Sequence, residues 1–142
     1  MANLSALLAC KVPAEHPEIL FREQCWLIKG FKTKTHYIGI LSYQGEGDIS
    51  SVDFDWRKAT SKNILGFYHT HPSGLQTPSS RDDRTMSALV RAEGRPLLCG
   101  ILTDDSNNCY VYKRAEDRTI EDVKLKSAKI IGWKFFIAEI AD

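Results

Sequence analysis

The sequence predicts an α+β (α/β-like) chain built on a curved, mostly mixed β-sheet. Three observations lead there. Short apolar runs rich in β-branched and aromatic residues recur at 23–30, 36–43, 63–68 and 97–103, each long enough for one strand. Within 80–92, Met86, Leu89 and Val90 stand at i, i+3 and i+4, the spacing of an amphipathic helix. Strands mixed in this way with two or three helical stretches make a layered sheet-and-helix architecture.

Size and charge set the outer limits. A chain of 142 residues with 43% hydrophobic content has the make-up of one globular domain, 1–142, with its own core. Net charge is +1, and the 19 basic and 18 acidic residues are scattered rather than blocked, so no polybasic face points to nucleic acid or anionic lipid. No apolar run reaches 18 residues, and the first ten residues are too short for a cleavable leader. The expectation is a soluble, cytoplasmic protein without a membrane partner. Cys10, Cys25, Cys99 and Cys109 show no C-x-x-C pairing and lie mostly in apolar runs, which suits buried thiols in a reducing compartment.

Along the chain, residues 1–21 are interrupted by Pro13 and Pro17 and fit a strand or a helical turn equally well. Glu23 opens the run 23–30. Residues 36–43 form a strand, Gly45-Glu46-Gly47-Asp48 a turn, and 49–54 a second strand of a hairpin or meander. Residues 55–60 form a short helical link, with Trp56 as core cover. Residues 63–68 form a strand that Pro72 ends. The helix over 80–92 stops near Gly94, ahead of Pro96. Residues 97–103 and 109–113 pair as a hairpin across the polar turn 104–108. Ile120, Val123, Ser127 and Ile130 give 117–130 a helical pattern, while 133–140 reads as strand or helix. There is no internal repeat.

The chemistry concentrates in 67–83, FYHTHPSGLQTPSSRDD. Residues two apart diverge by about 200° on a helix but share a face on a strand, so His69 and His71 can grip one ion only if the segment is extended. Asp82 adds a carboxylate. Two His and one carboxylate, with a fourth position left for water, is a common donor set of catalytic zinc. Each half has a plainer explanation: a His pair on a strand is commonly structural, and Ser79 with an acid three residues later is a helix cap. Their joint spacing favours the metal site, and capping is compatible with ligation.

His69-x-His71, seven residues, Ser79, two residues, Asp82 resembles the motif of the JAMM (JAB/MPN) zinc metalloproteases. Pro72-Ser73-Gly74 and Pro78-Ser79 resemble the prokaryotic type, and the likeness spans about residues 23 to 112. It implies a JAMM/cytidine-deaminase-like curved mixed sheet flanked by helices, with one Zn²⁺ per chain at the sheet edge, held by His69, His71 and Asp82. The family also carries a catalytic Glu ahead of an apolar strand. Glu23-Gln24-Cys25 with Leu27-Ile28 is similar to it, although Trp26 and Lys29 replace a usual Gly and a usual apolar residue, and Glu46 is the rival position. By the resemblance Glu23 is the general base and Ser79 the residue that bonds the oxyanion or the water. The implied substrate is the peptide or isopeptide bond after the C-terminal tail of a ubiquitin-like protein, bound as an added strand. The short chain favours a prokaryotic ubiquitin-like or sulfur-carrier partner.

Two other readings stand beside this one. A non-catalytic MPN scaffold is the first, although such proteins lose metal ligands and all three are present here. The second is a RadC-like DNA-associated protein, which the aromatic run after Glu23 and His-Pro-Ser-Gly fit but the balanced charge does not.

Overall fold

The computed structural model describes residues 23–46 and 63–140. The expected features at 1–21 and 49–60, with Cys10 and Trp56, lie outside the described residues, as does the side chain of Glu46.

The described residues form β1 (Gln24–Lys32), β2 (His36–Glu46), β3 (Ile64–Thr70), α1 (Ser80–Glu93), β4 (Leu97–Leu102), β5 (Asn107–Arg114), β6 (Ile120–Lys124), β7 (Lys126–Ile131) and β8 (Phe135–Glu139). The eight strands make one sheet in the order β6-β5-β4-β3-β1-β2-β8-β7. All neighbours are antiparallel except β3 and β4, which run parallel and are joined by α1, as a parallel connection requires. The sheet curls. β6 and β7 are consecutive in the chain yet lie at opposite ends of the order, and Asn107 Nδ2 donates to the Ala128 carbonyl at 3.2 Å, bringing β7 back to β5.

Strand alternation divides the core in two. Inside the curl, Trp26, Ile28, Tyr68, Leu98, Leu102, Val111 and Phe136 pack together. On the opposite face Cys25, Leu27, Phe67, Cys99, Ile101, Tyr110 and Tyr112 pack beneath Met86 and Val90 of α1. Burying each of those two helix side chains stabilises the fold by about 1.5–3 kcal/mol. Asp82, Met86 and Val90 are the buried positions of α1, so the four-residue stripe that docks the helix also carries Asp82 inward. Gly94 closes the helix in the left-handed conformation, φ 69°, its N–H donating to the Val90 carbonyl.

The helix over 80–92 and the hairpin of 97–103 with 109–113 form as expected. Within 133–140, which fitted strand or helix, Phe135–Glu139 form strand β8. Sheet dominates more than the sequence suggests, with α1 the only helix among the described residues. The helical pattern over 117–130 is overturned: these residues form β6 and β7. Ile120 and Val123 are three apart, so on a strand they face opposite ways, and they pack against the two different core clusters. Val123 and Leu125 then alternate normally, as do Ala128 and Ile130. A register shift between Lys126 and Lys129, with Ser127 at φ 55°, slips the alternation by one residue and imitates a helical period. No helix among the described residues is long and apolar enough to cross a membrane.

Candidate metal centre

His69 is the penultimate residue of β3, and His71 follows its last residue with its N–H still donating to the Leu102 carbonyl of β4 at 2.8 Å. The extended backbone therefore continues through both, and the two rings project on one face, centroids 4.6 Å apart. This is the helix side of the sheet, where α1 begins. Ser79 is its N-cap: Ser79 Oγ accepts from the Asp82 N–H at 3.1 Å, and Asp82 Oδ2 accepts from the Ser79 N–H at 2.9 Å.

Three donors converge. His69 Nε2 and His71 Nε2 are 2.9 Å apart, and Asp82 Oδ2 lies 3.2 Å from the first and 3.1 Å from the second. All three residues are buried, and their ligand atoms are placed so that they could hold one metal ion. The separations suit that use, because the edges of a tetrahedron with zinc–ligand bonds of 2.0–2.1 Å are about 3.3 Å long. Asp83 is not part of the group; its carboxylate accepts from the Tyr112 hydroxyl on β5.

The protonation pattern fits an ion as well. His71 Nδ1 lies 2.8 Å from the Leu75 carbonyl, which can only accept, so Nδ1 carries the proton and the neutral ring leaves a lone pair on Nε2. His69 turns its Nε2 toward the other two donors, while its Nδ1 is buried with no hydrogen-bond partner among the described residues. Burial works to lower the His71 pKa, but the hydrogen bond to Asp82, the Leu75 carbonyl, and the charges of Asp82 and Glu23 outweigh it and raise the value. Burial likewise pushes Asp82 up, yet the bonds from His69, His71 and Ser79 hold its carboxyl well below the usual carboxylate range.

Glu23 stands just ahead of β1. Cys25 pairs with His69, and the Gln24 N–H donates to Thr70 Oγ1 at 2.8 Å; continuing this antiparallel register sets Glu23 beside His71. It is half-buried and outside the trio of converging donors. The site lies at the end of β3, fourth of eight strands, so its edge is the row of strand ends and not an outer strand. The described cysteines, Cys25, Cys99 and Cys109, are buried thiols outside any disulfide. Burial raises the Cys99 thiol well above its ordinary value and pushes Cys109 up to about 12 despite bonds from Tyr68 and the Tyr110 N–H, so both stay neutral and unsuited to ligation. Sequence reading missed the Leu75 carbonyl and the Thr70 clamp. A main-chain acceptor leaves no mark in the sequence; Thr70, between two His, could have been read as the residue facing the opposite side.

Fold and site together define a sheet-and-helix domain with a candidate mononuclear metal centre at the ends of its central strands. Residues 3–120 match the family described as prokaryotic homologs of the JAB domain, and the chain belongs to that family. No curated protein matches it.

Proposed function

We propose that the protein is a zinc-dependent metalloprotease or isopeptidase that hydrolyses the bond after the C-terminal tail of a ubiquitin-like protein. The observation that carries this reading is the convergence of His69 Nε2, His71 Nε2 and the Asp82 carboxylate within one small, buried group next to Glu23. The donor set fits a zinc ion, with His69, His71 and Asp82 as its ligands. Bound there, zinc would supply Lewis acidity, polarising an amide carbonyl and acidifying water.

The protein's own groups do the rest. Glu23, beside His71, takes the proton of the attacking water as the water oxygen bonds to the carbonyl carbon. It returns that proton to the amine nitrogen as the C–N bond breaks. Ser79 Oγ is already accepting from the Asp82 N–H, which leaves its own hydroxyl proton to donate to the developing oxyanion. The Leu75 carbonyl keeps the His71 lone pair turned toward Asp82.

Retention of all three donors favours this over a non-catalytic scaffold, and the near-balanced charge favours it over a DNA-associated role. The test is to measure zinc content and cleavage of fusions carrying a ubiquitin-like C-terminal tail. About one zinc per chain and cleavage abolished by a chelator are expected. Folded protein that takes up no zinc would remove the proposal, and zinc-loaded protein that cleaves no such fusion would return it to the scaffold reading.

A further inference from the structure

The connection between β3 and α1 is exposed from Pro72 through Thr77 and reaches the metal centre at the Leu75 carbonyl, 2.8 Å from His71 Nδ1. It turns tightly on itself, the Gly74 N–H donating to the His71 carbonyl at 3.0 Å with Gly74 in the left-handed region, φ 85°. Its ties to β5 and to the turn ahead of it run through Gln76. The Gln76 carbonyl accepts from Asn108 Nδ2 at 3.3 Å and from the Tyr110 hydroxyl at 3.3 Å, and Gln76 Nε2 donates to Asp105 at 3.4 Å. The residue immediately before Gln76 is Leu75, whose carbonyl receives the His71 Nδ1 proton.

We infer that Asn108 and Tyr110 are positioning residues of the metal centre, acting through the Gln76 and Leu75 carbonyls to hold His71 in its ligating tautomer; this rests on the metal-site reading above. Only the φ and ψ of Gln76 separate its carbonyl from the Leu75 carbonyl, so anchoring the first narrows the range over which the second can move. Without that restriction an exposed loop samples many arrangements, and the Leu75 oxygen leaves His71 Nδ1 for part of the time. The imidazole proton is then free to move to Nε2, the nitrogen that must carry a lone pair. Asn108 and Tyr110 suit the task because residues two apart on β5 face the same side, here the helix side where Tyr110 packs. Tyr110 is buried and anchored beneath the loop it bonds.

The experiment combines Asn108→Ala with Tyr110→Phe and reads two quantities. Imidazole ¹⁵N NMR of metal-free protein at pH 8 should show His71 as the Nδ1–H tautomer in the wild type and as a mixture in the double variant. Zinc affinity by chelator competition should fall about tenfold, the lower end of what loss of an outer partner costs. Tyr68→Phe serves as the control, since it removes a buried hydroxyl bond to Asn107 on the other face and should change neither. If the double variant does not fold, Tyr110→Phe alone should move both readouts less far in the same direction. A folded variant with wild-type tautomer and wild-type zinc affinity overturns the inference. Failure of the wild type to bind zinc would count against the metal reading instead, and the tautomer measurement would still decide the role of Asn108 and Tyr110.

Discussion

Ser79 and Asp82 bond each other reciprocally, and the Asp82 oxygen that receives the Ser79 N–H is the one that approaches both His69 and His71. The start of α1 and the placement of a candidate ligand are thus one arrangement. Burial of Met86 and Val90 on the same stripe docks α1 on the helix-side core cluster of the sheet.

Removing the cap should therefore be felt in stability even without metal. Ser79→Ala loses the acceptor for the Asp82 N–H, and a loss of about 1 kcal/mol is expected, as for a typical N-cap. Ser79→Thr keeps the oxygen and should lose much less. Urea denaturation of the metal-free proteins compares them, and equal midpoints for wild type and Ser79→Ala would show that the cap does not contribute.

The neighbouring acids Asp82 and Asp83 should separate cleanly. Asp82→Asn removes a charged donor from the convergent group and should weaken zinc binding at least as much as loss of an outer partner, about 10- to 100-fold. Asp83→Asn sits in the bond to Tyr112, away from the ligands, and should bind zinc as the wild type does. Elemental analysis after dialysis distinguishes them; the reverse order would shift the motif by one residue.

Zinc affinity should depend on pH through His71. Its raised pKa keeps a competing proton on the ring to higher pH than for an ordinary imidazole, whereas the depressed pKa of Asp82 leaves that ligand ionised throughout. Apparent affinity should fall as pH drops from 8 to 6, approaching about tenfold per unit once His71 is mostly protonated. In metal-free protein the same shifts act on stability with opposite signs. The contribution of His71 is present below its unfolded value of about 6.5 and is lost as pH rises through the folded one. That of Asp82 is present above about 3.9 and is lost as pH falls. Chelator competition and denaturation midpoints across this range check both, and a flat zinc profile would contradict the arrangement around His71.

The donor trio was legible because its requirements are local. An x between two His on a strand, and a cap three residues before an acid, fix geometry over a few residues each, and the helix stripe supplies the rest. The 117–130 segment was not legible, since a one-residue slip near Ser127 turns two alternating strands into a false helical period. Nor could sequence show that Gln76 is bonded from β5, because the bond uses a carbonyl that every residue possesses. The position of Glu23 lies between these cases: its residue type suggests a role, but only the Cys25–His69 register sets it beside His71.

That register leads to the prediction that separates an enzyme from a metal-stabilised binding domain. Glu23 stands outside the three converging donors, so Glu23→Gln should leave zinc content and melting temperature unchanged. Gln keeps the size and can still hydrogen-bond but does not accept the proton of the attacking water. Cleavage of a ubiquitin-like fusion should then fall by about 10²- to 10⁴-fold, the usual cost of losing a general base, and further because the same group reprotonates the leaving amine. Glu46→Gln should cleave as the wild type does. Normal cleavage by Glu23→Gln together with loss in Glu46→Gln would move the base to the end of β2 and leave the enzyme reading intact. Were zinc lost along with activity in Glu23→Gln, Glu23 would be a fourth ligand, and the site would be a closed structural one with no position left for water.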